Sequence, residues 1–216
     1  MTNVKNMKYK YPKTTHLPFS LGLQNDDRRI SNADYEAFKT FNVIGTEKMD
    51  GESFTVYRDC THARSLDSGD HPSRSYSKMY AATFQHLIPE GWRFVFENCY
   101  AEHSISYYDL PVYCFLLNIW NDSNVCLSWK ETGNIASDLG LTLPKTYFEG
   151  KYDEDAIKKI YSSLDTDRVE GLVFRNTEPF HYSDFSKNVA KLVRKGHVQT
   201  DQHWMSKPVT SNKLLT

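Results

Sequence analysis

The chain has 216 residues, of which 39% are hydrophobic, 25% charged and 14% aromatic, with a formal net charge of −1 at pH 7. That length fits one ordinary domain and is short for two, and the composition excludes the disordered and fibrous classes. A charge this close to zero gives no bulk attraction to polyanions, so a phosphate or nucleic-acid site has to come from local clusters of Lys and Arg.

Residues 1–31 mix Pro12, Pro18 and Gly22 with Asp26, Asp27, Arg28 and Arg29, and read as an irregular arm across the surface. Ser31 or Asn32 then caps a short helix over residues 33–40, because either side chain can accept from free N–H groups at its start. Residues 43–47 and 53–58 are rich in β-branched and aromatic side chains and predict strands. The turn-prone Met49-Asp50-Gly51 separates them and leaves Lys48 at a strand end. The polar stretch 59–75 predicts a loop, and 77–87 a helix ended by Pro89-Glu90-Gly91. Residues 93–97 and 113–120 read as buried strands with a polar piece, 98–111, between them. Helices follow over 128–139, stopped by Gly140, and over 154–164. The last third predicts strands at 169–175 and 188–194, then an aromatic and basic tail from 195 to 216.

Strands outnumber helices and mostly follow one another through turns, which predicts an α+β fold with antiparallel sheets and not a doubly wound parallel sheet. No repeat or linker divides the chain, so one domain over 1–216 is expected, with 1–31 as its arm and 195–216 as its tail. No apolar run reaches the length of a membrane span and no apolar signal core follows the N-terminus, so the expected compartment is the cytoplasm. Four cysteines, Cys60, Cys99, Cys114 and Cys126, form no CxxC pair and fit reduced thiols. Neither His197 with His203 nor Cys99 with His103 has a second pair to close a tetrahedral zinc shell. GxxxxGK[ST] and GxGxxG are absent, so phosphate binding has to use side chains.

Lys48-Met49-Asp50-Gly51, preceded by Glu47, puts an amine on a rigid strand end, facing a cleft. Lysine becomes a nucleophile when desolvation or a neighbouring cation lowers its pKa, and a divalent metal on nucleotide phosphates does the same while neutralising them. A surface hairpin can carry the same letters, and three fixed letters arise by chance in about one chain in twenty of this length. The tetrapeptide therefore decides nothing alone.

The tetrapeptide resembles the KxDG nucleotidyl-acceptor motif of the ATP-dependent RNA ligases, DNA ligases and mRNA capping enzymes. Further motifs stand in the expected order. Ala63-Arg64-Ser65 resembles the arginine motif, and Phe94-Val95-Phe96-Glu97 the strand whose acid meets the ribose. Residues 113–120 resemble the apolar strand behind the adenine, Glu170-Gly171-Leu172-Val173 the EG(L/V)V motif, and Lys191 to Arg194 the final lysine motif. His16-Leu17-Pro18, Tyr100-Ala101-Glu102-His103-Ser104-Ile105 and the stretch 194–204 resemble the phage and microbial RNA ligase branch, so the resemblance covers almost the whole chain.

That resemblance implies an adenylyltransferase domain using ATP and Mg²⁺ or Mn²⁺. Lys48 forms a lysyl-AMP, AMP passes to a 5′-phosphate, and a 3′-hydroxyl displaces it, with RNA ends as partners. By the same resemblance Lys48 is the nucleophile, Asp50 orients the site, and Glu47, Arg64, Glu97 and Leu117 bind nucleoside or nucleic acid. Glu170, Lys191 and Arg194 manage phosphates, and Glu170 and Glu97 hold the metal. An ionised Glu97 has lone pairs for the ribose hydroxyls. Glu170, beside an apolar run, needs a cation, either a metal–phosphate complex or a salt bridge to Arg168 or Arg175. Residues 187–195 hold four cationic side chains suited to a leaving pyrophosphate. Arg64 or Arg74 reads a sugar or phosphate, or else holds the polar loop.

Two departures stand out. Leu117 and Asn118 occupy positions where many relatives place an aromatic and Asp, leaving Phe115, Trp120 or an apolar Leu117 contact for the adenine. Lys191 lacks its usual Lys-x-Lys partner. Only about two dozen residues follow the last motif, far short of the roughly 100 of a separate domain, so no added OB-fold is expected. A monomer that grips its substrate weakly, or leans on a partner protein for end recognition, is the expectation. The rival readings are a small ATP-dependent DNA ligase, a capping guanylyltransferase and a non-catalytic nucleic-acid-binding relative.

Overall fold

The computed structural model describes residues 7–24, 27–195 and 209–215. In chain order the strands are β1 (Thr15–His16), β2 (Asn42–Glu47), β3 (Glu52–Tyr57), β4 (Thr61–Ala63), β5 (Arg93–Asn98), β6 (Cys114–Trp120), β7 (Val125–Cys126), β8 (Thr146–Lys151), β9 (Gly171–Asn176), β10 (Phe180–His181) and β11 (Val189–Val193). The helices are α1 (Asn32–Phe38), α2 (Ser75–Ala82), α3 (Trp129–Asp138), α4 (Glu154–Ser162) and α5 (Phe185–Asn188). They build a five-stranded sheet, β1-β11-β9-β2-β8, and a six-stranded sheet, β10-β7-β6-β5-β3-β4. Every ladder is antiparallel except β1 beside β11, where Thr15 pairs with Ala190 and His16 with Lys191. The chain is thus α+β with antiparallel sheets.

Strand periodicity decides which side chains face the functional cleft. Along β9, Leu172 and Phe174 join a core with Phe38 of α1 and Ile157 of α4, while Val173 and Arg175 line the cleft. Along β11, Ala190 and Leu192 enter that core, and Val189 and Lys191 line the cleft. In the other sheet Phe54, Phe94, Phe96 and Leu116 pack against Ala81 of α2 and Ala136 of α3. Each sheet therefore buries one face under helices and turns the other towards the cleft. The β5–β6 register pairs Val95 with Asn118 and Phe96 with Leu116, so Leu117 is an extra residue on its strand. This bulge sets Leu117 and Asn118 side by side in the cleft wall, where strict alternation would have hidden one of them.

Ser31, not Asn32, caps α1: its Oγ accepts from Asp34 N at 3.1 Å. The stretch 59–75 is more than a loop, since it holds β4 and a tight 3₁₀ turn at Pro72–Arg74, and α2 starts at Ser75 and ends at Ala82. β4 is set by pairing with β3, Phe54 to Ala63, which a polar sequence does not advertise. The N-terminal arm is also less superficial than its composition suggests. Leu17 and His16 are 0% exposed, and Leu17 and Ile30 belong to the α1–α4 core. In the tail, residues 209–215 dock on the polar piece 98–111: Asn212 Nδ2 donates to Cys99 O at 2.8 Å and its Oδ1 accepts from Tyr107 N at 2.8 Å. All four cysteines are free thiols. His197, His203 and residues 196–204 of the final motif stretch lie outside the described residues. Among the described residues, no helix is long and apolar enough to cross a membrane.

Candidate active site

The two sheets wall a cleft of about 860 Å³. At one end, the ladder between β2 and β9 runs one step past the last strand residue, because Lys48 N donates to Gly171 O at 2.8 Å. This rung puts Lys48 beside Glu170, and its Nζ donates to Glu170 Oε2 at 2.5 Å. The two side chains are only 23% and 4% exposed. Glu97 arrives from the opposite sheet, on β5, and accepts from Gly51 N–H. Asp50 lies behind this group: its Oδ2 accepts from Ser104 N (2.7 Å), Ser104 Oγ (2.8 Å) and Ile105 N (2.7 Å), while its own N–H donates to the Tyr107 hydroxyl at 3.0 Å. Asp50 thus orients the turn carrying Lys48, and Gly51 fits because a Cβ there would lie 2.4 Å from Asn98 O.

Of the influences named for lowering the Lys48 pKa, the protein supplies burial, and its nearby carboxylates oppose it. Burial pulls its pKa down, but the carboxylates of Glu170 and Glu97 outweigh burial and hold the amine above its ordinary range. Carboxylates dominate the charges around it, so the amine is held as the protonated ion-pair partner of Glu170. Burial pushes the Glu97 carboxyl up to about 8, with Glu170 and Asp50 reinforcing the rise and Lys48 opposing it. Between the ordinary glutamate range and that value the folded chain holds a proton that the unfolded chain has lost. Stability therefore falls as pH rises through the window and levels off above it. Glu97→Gln carries no such charge, so its melting temperature is expected to decline less than that of the wild type between about pH 5 and about pH 8. Thermal melts of both proteins across that range check the sign, and parallel declines would refute it.

Further along the cleft, Lys191 Nζ donates to Asp27 Oδ1 at 3.0 Å, and burial lowers its pKa against the pull of Asp27. Tyr147 donates its hydroxyl to Glu47 Oε2 at 3.3 Å. Arg64 lines the cleft, and its Nε is buried without a hydrogen-bond partner, an open donor for an acceptor on a ligand. Arg74 is the arginine that holds the polar loop, through a fork to Glu52 (Nε to Oε2, 2.9 Å) and a bond to Gly69 O.

Seven of the residues singled out from sequence thus share one cleft: Glu47, Lys48, Arg64, Glu97, Leu117, Glu170 and Lys191. Arg194 does not line it. Three residues past Lys191, its charge acts on Tyr161 in the segment that ends α4, while its N–H donates to Glu170 O at 3.1 Å. The cationic run 187–195 likewise disperses, with Lys187 pairing with Asp184 at the surface. The partner of Glu170 is Lys48. Arg168 instead meets Asp109, and Arg175 is spent on Asn118 Oδ1 and Leu127 O, each at 2.8 Å. Phe115 and Trp120 are core side chains, which leaves Leu117 as the apolar face of β6 in the cleft, with Val173 on the facing sheet. Asp27, Val173 and Tyr11 are cleft residues that sequence reasoning missed. Asp27 lies 164 positions from Lys191, so no local spacing could reveal the pair.

A lysine at a strand end, faced by two glutamates and a second lysine between antiparallel sheets, is the class of site that the KxDG resemblance implies. A profile described as RNA ligase matches residues 41–193, and the chain belongs to the RNA ligase family. Among solved structures it is similar to an archaeal ATP-dependent RNA ligase (TM-score 0.58, 16% identity), covering 85% of this chain and 48% of that one. A protein from Aquifex aeolicus, provisionally assigned as an ATP-dependent DNA ligase, gives a TM-score of 0.57 at 15% identity, covering 88% of this chain and 50% of that one. A mutant Naegleria gruberi RNA ligase with ATP and Mn gives 0.52 at 15% identity, covering 86% and 60%. At such identities the likeness shows the fold, and the chain spans between 48% and 60% of the lengths of these three structures. A search of curated proteins finds no match.

Proposed function

We propose that the chain is an ATP-dependent RNA ligase that joins 3′-hydroxyl and 5′-phosphate ends through a lysyl-AMP intermediate. The observation that carries this reading is the convergence of Lys48, Glu97, Glu170 and Lys191, from four separate segments, on one cleft. The Lys48 nitrogen attacks the α-phosphorus of ATP, a P–N bond forms, the bond to pyrophosphate breaks, and the amine gives up its proton. A 5′-phosphate oxygen then attacks the same phosphorus, releasing Lys48 and leaving an adenylated end. Finally a 3′-hydroxyl attacks the terminal phosphate, and AMP departs.

The residues present fit a divalent cation. Glu97 and Glu170 face the Lys48 amine with Asp50 behind them, and although burial does most to push the Glu97 carboxyl up, the neighbouring carboxylates add to that push. Among the described residues, no group of three or more His, Cys, Asp or Glu is placed to cage a metal. This suits Mg²⁺ or Mn²⁺, which take most of their ligands from phosphates and water, with Glu170 and Glu97 as the protein ligands. When bound, such an ion supplies positive charge that neutralises phosphates and weakens the hold of the glutamates on the lysine proton. Lys191 supplies a second positive charge for the departing pyrophosphate. Glu47 and Arg64 offer polar contacts to the nucleoside, and Leu117 with Val173 offers apolar ones from opposite sheets. The chain acts as a single adenylyltransferase domain and monomer, leaning on a partner protein or further contacts for end recognition.

The test is incubation with α-labelled ATP or GTP and Mg²⁺ or Mn²⁺, followed by sealing assays on matched RNA and DNA nicks. Covalent label from ATP and preferential sealing of RNA are expected. Label from GTP instead would indicate a capping activity, preferential sealing of DNA a DNA ligase, and no adduct a non-catalytic relative.

A further inference from the structure

The second ion pair in the cleft rests on an element that the mechanism above does not use. β1 lies parallel to β11, with His16 paired to Lys191 in register. His16 N donates to Arg28 O at 2.8 Å, and Ile30 N donates to His16 O at 2.9 Å, so the returning arm is laid against His16 just after Asp27. The His16 ring is wholly buried, with Nδ1 2.8 Å from Ser20 Oγ and Nε2 3.0 Å from Asp27 Oδ2. Ser20 Oγ also accepts from Val193 N at 3.1 Å, which ties this assembly back to β11. Gln24 N donates to Asp27 Oδ2 at 3.2 Å, and Asp27 N donates to Gln24 O at 3.1 Å, two bonds that fix the carboxylate. The free oxygen of that fixed carboxylate, Oδ1, receives Lys191 Nζ.

We propose that Asp27 is a positioning residue: anchored by His16, it holds the flexible Lys191 side chain against the cleft wall with its remaining N–H groups turned to the polyphosphate of the nucleotide. A lysine ammonium has three donors on a long mobile stem, so one bond to a fixed acceptor aims the other two without consuming them. The charged groups facing Lys191 are Asp27 from the arm and Lys48 and Glu170 from the ends of β2 and β9. Asp27 is the only one of these that is tied to the arm by its own hydrogen bonds. The same carboxylate competes with phosphate for the amine, so its removal should loosen aim while strengthening ground-state attraction.

This inference rests on the reading of the cleft as the site of lysine adenylylation, and a double-mutant cycle separates the two. Single-turnover lysyl-AMP formation and the affinity for inorganic tripolyphosphate, by calorimetry, are measured for wild type, Asp27→Asn, Lys191→Ala and the double variant. At saturating ATP, Asp27→Asn is expected to slow adduct formation about tenfold, and to bind tripolyphosphate about threefold more tightly because Lys191 is released from the carboxylate that competes for its amine. In the Lys191→Ala background the same change should alter either quantity by less than about twofold, since its effect passes through Lys191. Asp27→Glu, which keeps the charge, should recover most of the rate even if Asp27→Asn folds poorly. Equal effects of Asp27→Asn with and without Lys191, or weaker tripolyphosphate binding in step with the rate, would overturn the inference. If the wild type binds tripolyphosphate but takes no label, the proposed function fails. The inference is then decided by the cycle read on affinity alone.

Discussion

Lys48→Arg is expected to abolish formation of the protein–AMP adduct, by at least about four orders of magnitude, while leaving the fold intact. Arginine keeps a cation beside Glu170, so the buried carboxylate stays paired. Its guanidinium does not deprotonate in proteins and has no lone pair to offer phosphorus. Lys48→Ala is the weaker experiment, because it strands a glutamate that is 4% exposed. Breaking a buried pair in that way costs about 3–5 kcal/mol, so lost activity could be lost structure. A finer expectation follows from the order of steps. Once the 5′ end is already adenylated the lysine is not needed as a nucleophile, so Lys48→Arg should still seal a pre-adenylated RNA strand on a nicked duplex. Labelling with α-labelled ATP and sealing of the adenylated strand are measured on the same preparation. Undiminished label in the arginine variant would remove the chemical basis of the proposed function.

The parts of the site legible in sequence were those set by short-range pattern. β2, β3, β5 and β6 announced themselves by aromatic and β-branched runs, and the break at Met49-Asp50-Gly51 placed Lys48 where the last rung of β2 meets β9. Elements fixed by distant partners were not legible. β8 is a largely exposed edge strand carrying Gly150, and its place comes from pairing with β2, Val43 to Gly150 and Asn42 to Lys151. Arg194 stood with Lys191 in one cationic run as a phosphate contact, yet just past the end of β11 its charge acts on Tyr161 instead. The sign of the charge around Lys48 was hidden for the same reason. Glu170 is 122 positions away in sequence, and only the β2–β9 ladder brings it to the amine.

That ladder makes Gly171→Ala the substitution expected to do most harm to the fold. Gly171 opens β9, its carbonyl accepts the Lys48 N–H, and it pairs with Val193 on β11. A Cβ there would sit 2.1 Å from Leu192 O and 2.9 Å from Val193 Cα, both backbone atoms that cannot rotate away. β9 and β11 would have to part, so the cost is steric overpacking of about 3 kcal/mol or more. For a chain of this size that corresponds to a fall of roughly 6–12 °C in melting temperature. The same separation would shift Glu170 from Lys48 and Lys191 from the cleft, so adduct formation should fall with stability. Gly133→Ala is the matched control. It lies within α3, its added Cβ meets nothing within 4 Å, and the change should stabilise the helix by about 0.5–1 kcal/mol. Melts of the two variants beside the wild type decide the matter: if Gly171→Ala melts as high as the wild type, the close approach of β9 to β11 does not position Glu170, and another contact must hold the glutamate against the lysine.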